Sequence, residues 1–312
     1  MLMPKALFSW LVPIAVLALS PPAGAQDWAP FAVPAQPGPD KDWVIDQALS
    51  DQFNYASDTP AGQVEFYGKW NDWKPDHWFG PGATYFSTDN YSVAQGLLTI
   101  FASRIPLAEQ IPSGDAGFTR TIYTSYITSK AKLQPGIYTE IMMKGGATQL
   151  SANFWMIDDN NETEIDVVEI YGDGDWFPRH PATNVHFQRR GGNGDVNNQA
   201  HHAKDAVNYS TTWHRYGVYW ISPTHLEFYY DGQRVRTLDL TQEIVDPSGQ
   251  YMDSPVRLII DLEAHAWRGT EALPSDAELS DQSVNNMQVD WVRTYRSVDK
   301  KMGLNGPIDT EE

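Results

Sequence analysis

The chain has 312 residues, and its 40 acidic and 22 basic side chains give a formal net charge of −18 at pH 7. Such a charge repels phosphate groups, which argues against nucleic acid and anionic membranes as partners. The chain has no cysteine, so disulfides and thiol redox chemistry are excluded, and a large hydrophobic core must stabilise the fold.

The first 25 residues have the pattern of a secretory signal peptide. Lys5 precedes an apolar run over 6–19, and small residues at 23–25 match a cleavage site. The run is shorter than the roughly 18 to 20 residues that a membrane span needs. We therefore expect residues 1–25 to be removed and the mature protein to be secreted, either outside the cell or into the periplasm, with no membrane partner.

The mature chain is predicted to be one all-β domain. Four prolines within 26–40 indicate an extended leader with no core of its own. Over 41–298, short β-type runs alternate with Gly, Pro, Asn and Asp turns, and the only helical signal is a possible turn near Pro274 to Leu279. This pattern predicts two stacked antiparallel sheets. A polar tail follows over 299–312, and we expect a monomer.

Four runs are typical predicted strands, and a hairpin is predicted through Asp231-Gly232. The strands are Leu97–Phe101, Gly136–Ile141, Arg215–Trp220 and Val256–Ile260.

The most informative segment, 164–169, places three acids within six residues. Alternate side chains of a strand point to opposite faces, so Glu164 and Asp166 share a face while strict alternation would turn Glu169 away. One extra residue, a β-bulge at Val167-Val168, would bring Glu169 back to that face. The sequence therefore predicts a bulged strand with all three carboxyls on one side.

Crowded acids favour catalysis over a structural role. Glycoside hydrolysis needs one ionised and one protonated carboxyl, and mutual repulsion separates their pKa values. A separation of about 5 to 5.5 Å between the two glutamates would imply a retaining double displacement. The alternative is a solvated strand edge or a calcium site. The apolar neighbours, and the absence of Gly and Asn between the acids, argue against it.

This segment resembles the bulged active-site signature of the family 16 jelly-roll glycoside hydrolases, the clan of laminarinases, carrageenases, porphyranases and β-agarases. Further segments, within about residues 40 to 298, are similar to the β-agarase branch. They are Trp78-Phe79-Gly80-Pro81-Gly82, Ile127-Thr128-Ser129-Lys130, Phe154-Trp155-Met156, Glu169-Ile170-Tyr171-Gly172, Glu263 with Trp267-Arg268, and the closing strand from Val289 to Tyr295.

The resemblance implies a jelly-roll β-sandwich with a concave groove, and a retaining endo-hydrolase of β-1,4 bonds in agarose, an agar-type galactan. It implies that Glu164 is the nucleophile and Glu169 the acid/base, with Asp166 holding the nucleophile in place. No cofactor is required for this catalysis. A structural calcium occurs in relatives and Asp290 could contribute to it, but the sequence assigns no metal ligands.

Aromatic rings stack on the apolar faces of sugars, and polar side chains bind sugar hydroxyls. With the resemblance, this predicts substrate-binding roles for Trp78, Trp155, His186, Arg190, Glu263 and Trp267. Trp155 is expected to form a floor at the cleavage point. From the residues alone, a buried aromatic of the core or a hydrogen-bonded structural residue remains an open alternative.

Two segments depart from the β-agarase pattern. Ala264-His265 stands where an Asp-Gln pair is usual, and 184–190 lacks the usual Ser and paired His. Both segments would line the groove, so two alternatives stay open. One is a β-porphyranase that acts on sulfated red-algal galactan. The other, from a different class, is a non-catalytic polysaccharide-binding sandwich, against which the three acids argue.

Overall fold

The computed structural model describes residues 30–74, 76–187, 194–195, 200–201 and 207–300. In chain order, the strands within these residues are β1 (Lys41–Ile45), β2 (Trp70–Asn71), β3 (Thr84–Phe86), β4 (Tyr91–Ala94), β5 (Leu97–Ile100), β6 (Ser103–Arg104), β7 (Ile111–Pro112), β8 (Thr119–Arg120), β9 (Ile122–Thr124), β10 (Tyr126–Ser129), β11 (Ile137–Lys144), β12 (Ser151–Asp158), β13 (Thr163–Tyr171), β14 (Ala182–Phe187), β15 (Gly194–Asp195), β16 (Ala200–His201), β17 (His214–Ser222), β18 (His225–Tyr230), β19 (Gln233–Asp239), β20 (Val256–Glu263) and β21 (Met287–Asp299).

Short helices connect some of the strands. The α-helices are α1 (Pro60–Lys69), α2 (Leu240–Glu243) and α3 (Asp276–Ser280), and single 3-10 turns lie at Gln47–Leu49, Leu107–Glu109, Phe177–Arg179, Ala266–Arg268 and Thr270–Ala272. In the part of the chain that the structure describes, none of these helices has the length and apolar character needed to cross a bilayer.

Two stacked eight-stranded antiparallel sheets contain most of the strands. The back sheet has the order β19-β18-β17-β11-β21-β5-β4, with β1 paired to β21. The site sheet has the order β15-β14-β13-β12-β20-β10-β2, with β16 paired to β14. A small third sheet, β3-β9-β6, includes one parallel pair, β3 with β9. This architecture confirms the predicted all-β jelly-roll sandwich.

The hydrophobic core lies between the two sheets. Ile141 and Val218 point inward from the back sheet and meet Phe154 and Ile165 of the site sheet, and all four are fully buried. Each buried side chain of this size contributes roughly 1.5 to 3 kcal/mol. A core built in this way stabilises the sandwich without a disulfide.

The strands predicted as typical are confirmed as β5, β11, β17 and β20. The predicted hairpin joins β18 to β19, and its turn residues Asp231 and Gly232 have φ of 49° and 78°. Two successive positive φ values match the tight turn that the twist of paired strands favours, and this explains the Asp-Gly pair.

Helix α1 shows that the expectation of no helical segment before Pro274 is wrong. Its signal is only local, because Pro60 occupies the first turn and the Thr59 hydroxyl accepts from Gly62 N at 3.0 Å. Gly62 and Phe66 are its only buried residues, so no apolar stripe marks the helix in the sequence. The turn expected near Pro274 forms as α3.

The described part of the leader, residues 30–40, crosses the outer face of the back sheet. We call residues 31–37 the strap. Ala35 is buried against Tyr138, Tyr219 and Tyr229. Its carbonyl accepts from Trp43 Nε1 at 2.8 Å. The strap packs on the aromatic face of the back sheet.

A buried ion pair lies beneath the strap. Arg293 Nε donates to Glu140 Oε2 at 2.8 Å, and both side chains are fully buried. Tyr138 donates its hydroxyl to the other carboxylate oxygen at 2.8 Å, and Arg293 also donates to the carbonyl of Phe31. The strap therefore completes the hydrogen bonding of a buried charge. The domain boundaries at 25, 40 and 298 stay predictions.

Candidate active site

Strand β13 carries the predicted bulge. Asp166 pairs with Asn184 and Glu169 pairs with Ala182, so three steps along β13 match two along β14. The register against β12 shifts at the same place. The two valines at the bulge are fully buried, while Glu164, Asp166 and Glu169 all face one cleft on the outer side of the site sheet. The bulge thus converts an alternating strand into a row of three carboxyls.

A histidine from the neighbouring strand meets the first two acids. His186 Nε2 lies 3.7 Å from Glu164 Oε1, 3.5 Å from Asp166 Oδ2 and 3.0 Å from Asn184 Nδ2. Burial raises the pKa of Glu164 well above its ordinary value, and repulsion by Asp166 adds to this rise while the charge of His186 opposes it. The pKa of Glu164 is therefore set by its burial and by the charges of these two neighbours.

The same three groups have the spacing of a metal site. One ligand atom each from Glu164, Asp166 and His186 lie within 4.8 Å of one another, and no other such trio occurs among the described residues. Acidic clusters of this kind also serve acid–base catalysis, which needs the same groups free of metal. The predicted structural calcium stays a prediction.

A hydrogen-bonded network forms the floor of the cleft. Asn153 Nδ2 donates to Asp261 Oδ1 at 2.9 Å and to Glu263 Oε2 at 3.1 Å. Trp155 Nε1 donates to Asp261 Oδ2 at 2.9 Å. All four side chains are buried. Asp261 therefore fixes the plane of the Trp155 indole, and Asn153 fixes the carboxyl of Glu263.

The two floor acids hold protons more tightly than exposed acids do. Burial raises the pKa of Asp261 well above its ordinary value, and repulsion by Glu263 adds to the effect. Burial, together with the charge of Asp166, raises the pKa of Glu263 to about 8. At neutral pH the floor is therefore less negative than its count of carboxyls suggests.

The cleft has a volume of about 130 Å³. Trp78, Pro81 and His265 complete its walls around the three acids and the floor network. The lining therefore combines aromatic rings with carboxyls, which is the combination that sugar rings require.

Four of the predicted substrate-binding residues come together here. Trp155 is 7% exposed and forms the floor, and Glu263 is buried beside it. Trp78 is 37% exposed and packs edge-on against Phe86. His186 is partly exposed beside the acids.

The remaining two candidates differ in position. Trp267 is 63% exposed and lies outside the lining of the cleft, with its ring edge-on to Tyr171 at 5.6 Å. Its neighbour Arg268 makes a two-pronged ion pair with Asp173, at 3.0 and 2.8 Å, and packs over the Tyr171 ring. Trp267 therefore belongs to an aromatic rim. Arg190 falls outside the described residues.

Three site residues were given no role from the sequence, namely Asn153, Asp261 and His265, although the segment that contains His265 was expected to line the groove. Alternation could have found the first two, because Asn153 shares the face of Trp155 on β12 and Asp261 shares the face of Glu263 on β20. His265 lies in the 3-10 turn region after β20 and has no periodic signal. Its only mark is that it stands in a segment that departs from the β-agarase pattern.

A protein-family model and several curated proteins match this chain in sequence. The model of the family described as β-porphyranase A–D, GH16 domain, matches residues 43–297. β-Agarase AgaB34 of Agarivorans albus is 37% identical over 292 residues, which cover 88% of this chain and 61% of that protein. The extracellular agarase of Streptomyces coelicolor is 33% identical over 301 residues, which cover 89% of this chain and 92% of that protein.

Solved structures of β-agarases are also similar to this chain. β-Agarase A from Zobellia galactanivorans superposes with a TM-score of 0.73 at 31% identity, covering 88% of this chain and all of that chain. An inactivated β-agarase B in complex with agaro-octaose superposes with a TM-score of 0.74 at 29% identity, with the same coverage.

Proposed function

This chain belongs to glycoside hydrolase family 16, and we propose that it is an endo-acting β-agarase that hydrolyses the β-1,4 bonds of agarose with retention of configuration. The observation that carries the proposal is the bulge of β13, which turns Glu164, Asp166 and Glu169 into one cleft with Trp155 at its floor. Two curated β-agarases and an extracellular agarase at 33 to 37% identity support the choice of substrate.

The proposed reaction is a double displacement. Glu164 attacks the anomeric carbon while Glu169 protonates the leaving oxygen, which breaks the glycosidic bond and forms a glycosyl–enzyme ester. Glu169, now a base, then takes a proton from water as the water attacks the same carbon and releases Glu164. His186 Nε2 lies within 4 Å of both Glu164 and Asp166, so its positive charge favours the ionised form of Glu164 that attacks.

Binding is assigned to the aromatic and amide groups of the cleft. The Trp155 indole, held by Asp261, offers a rigid face to a sugar ring, and Trp78 offers a second ring in the lining of the cleft. Rigid rings lose little conformational entropy on binding, which makes them suited to a neutral polysaccharide.

A β-porphyranase is the second candidate. The family model carries that name, and β-porphyranase B of Phocaeicola plebeius is 25% identical over 288 residues, covering 82% of this chain and 85% of that protein. The β-agarase relatives share more residues with this chain. A sandwich that only binds polysaccharide would have no use for the crowded acids.

Secretion belongs to the same proposal. The segment 1–25 has the composition of a signal peptide, and one relative is named an extracellular agarase. A polysaccharide that cannot enter the cell must be cut outside the cytoplasm. The monomeric state stays a prediction.

The test is product analysis of the purified protein on agarose and porphyran in parallel, with the anomeric configuration of early products followed by NMR. Even-numbered neutral oligosaccharides released from agarose as β-anomers would support the proposal. Products from porphyran alone would move the specificity to the second candidate. If a folded preparation released nothing from either polysaccharide, the hydrolase assignment would fail.

A further inference from the structure

Two buried polar atoms in the cleft have no hydrogen-bond partner. They are Glu263 Oε1 and His265 Nε2. Both residues line the cleft next to Trp155 and Glu169. A buried polar atom left unpaired costs about 1 to 3 kcal/mol, and proteins pair the great majority of such atoms. Two unpaired atoms side by side, both facing a substrate cleft, therefore point to a ligand group that pairs them.

The two side chains touch without satisfying each other. His265 Nε2 lies 3.0 Å from Glu263 Oε2, yet the direction between them does not suit a hydrogen bond. Glu263 Oε2 already accepts from Asn153, so Oε1 is the free oxygen. The side chains of Glu263 and His265 are 6% and 21% exposed, so water has limited access to either atom.

The backbone that carries His265 is held firmly. Ala264 N donates to Thr84 Oγ1 at 2.7 Å. Gly82 packs against the same segment so closely that a Cβ there would lie 2.2 Å from the Ala264 carbonyl oxygen. The Tyr171 ring meets the imidazole edge-on at 6.0 Å. The imidazole is therefore positioned before any ligand arrives, which is what a binding group needs.

We propose that His265 is a specificity-determining residue for unsulfated over sulfated galactan: beside Glu263, for which the family resemblance already implies substrate binding, it binds the same sugar hydroxyl. The hydroxyl can pair with Glu263 Oε1 and His265 Nε2 at once, because a hydroxyl is both a donor and an acceptor, whichever of the two side chains carries the proton. A sulfate ester has no proton to donate, and its charge would lie beside the acids of the cleft. The inference rests on the proposed function and deepens it.

The test measures binding apart from turnover. In an inactive Glu164→Ser background, calorimetry with a neutral agaro-oligosaccharide should show about tenfold weaker binding for His265→Ala, the loss of one buried hydrogen bond. Glu263→Gln should weaken binding to a similar degree. His225→Ala, which alters a histidine 3.7 Å from Asp239 on the back sheet, should bind as the parent does. Unchanged affinity in the His265 variant would overturn the subsite.

Two further readouts separate binding from a structural role. Because His265 Nε2 makes no hydrogen bond in the free protein, His265→Ala should lower the unfolding temperature by no more than about 2 to 4 °C, which corresponds to about 1 kcal/mol for the lost edge contact with Tyr171. A larger fall would assign His265 to stability and overturn the proposal. The affinity for a sulfated porphyran oligosaccharide should fall less than that for the neutral one, and equal losses would overturn the specificity role.

The subsite and the proposed function fail in different ways. If the wild-type protein did not cut agarose, the proposed function would fail, whatever the variants did. If it cut agarose and His265→Ala matched it in KM and in binding, only the subsite would fail.

Discussion

Replacing His186 by alanine should move the acid limb of the pH–rate profile to higher pH. The limb reports the loss of the proton that keeps Glu164 from attacking. Burial and Asp166 raise the pKa of Glu164, and the positive charge of His186 opposes this rise. Removal of that charge leaves the raising effects unopposed, so Glu164 should hold its proton to a higher pH.

The size of the shift follows from the distance. Unit charges at about 4 Å attract by about 1 kcal/mol in water and by about 4 kcal/mol at an effective dielectric constant of 20. His186 Nε2 is 3.7 Å from Glu164 Oε1, and the two side chains are 36% and 27% exposed, which places the pair nearer the aqueous limit. At about 1.4 kcal/mol per pKa unit, the limb should rise by about one unit.

The assay is kcat/KM for agarose between pH 4 and 9, because this ratio reports the ionisations of the free enzyme. The value obtained belongs to the coupled group of acids rather than to Glu164 alone. His225→Ala is a matched control, since His225 Nε2 also lies 3.7 Å from a carboxylate, that of Asp239, but on the back sheet. A limb that stays in place or moves to lower pH in His186→Ala would refute the electrostatic reasoning.

Three other predictions concern the same cleft. Glu164→Ser should lower kcat by a factor of about a thousand or more, while oligosaccharide binding stays measurable by calorimetry. Trp155→Phe removes the donor to buried Asp261 and should lower the free energy of unfolding by about 2 kcal/mol, or roughly 4 to 8 °C in Tm, and this loss should shrink in an Asp261→Asn background. Folding raises the pKa of Glu263 to about 8, so the folded state binds that proton more tightly. The contribution of Glu263 to stability should therefore be fully present below about pH 4.5 and be lost as the pH rises through 8, and the difference in unfolding free energy between the parent and Glu263→Gln should follow this course.

Strand β13 was predictable because its three crowded carboxyls repel one another, so stability alone does not explain their presence. Three acids among β-branched residues can share one face only through a bulge, and the bulge lies where the sequence requires it, between Asp166 and Glu169. Short β-type runs between turn residues also predicted the sandwich strands, and Asp-Gly predicted the hairpin turn. In each case the chemistry of a few neighbouring residues leaves one local structure favoured over its alternatives.

Features that depend on distant partners were not predictable. The pairing of Asn153 with Asp261 joins residues 108 positions apart, and Ala264 N bonds a threonine 180 positions away. Helix α1 buries only two residues, so its sequence carries no periodic pattern. Ala35 looks like part of an unstructured leader because the tyrosines that bury it belong to β11, β17 and β18.

The strap also determines which face of the protein meets a support that is joined ahead of residue 30. Ala35 and Phe31 lie on the outer face of the back sheet, and the cleft opens on the outer face of the other sheet. A bead, an electrode or a fused carrier joined just ahead of residue 30 would therefore meet the back sheet. Immobilised in this way, the protein would present its cleft to a polymer in solution instead of to the support.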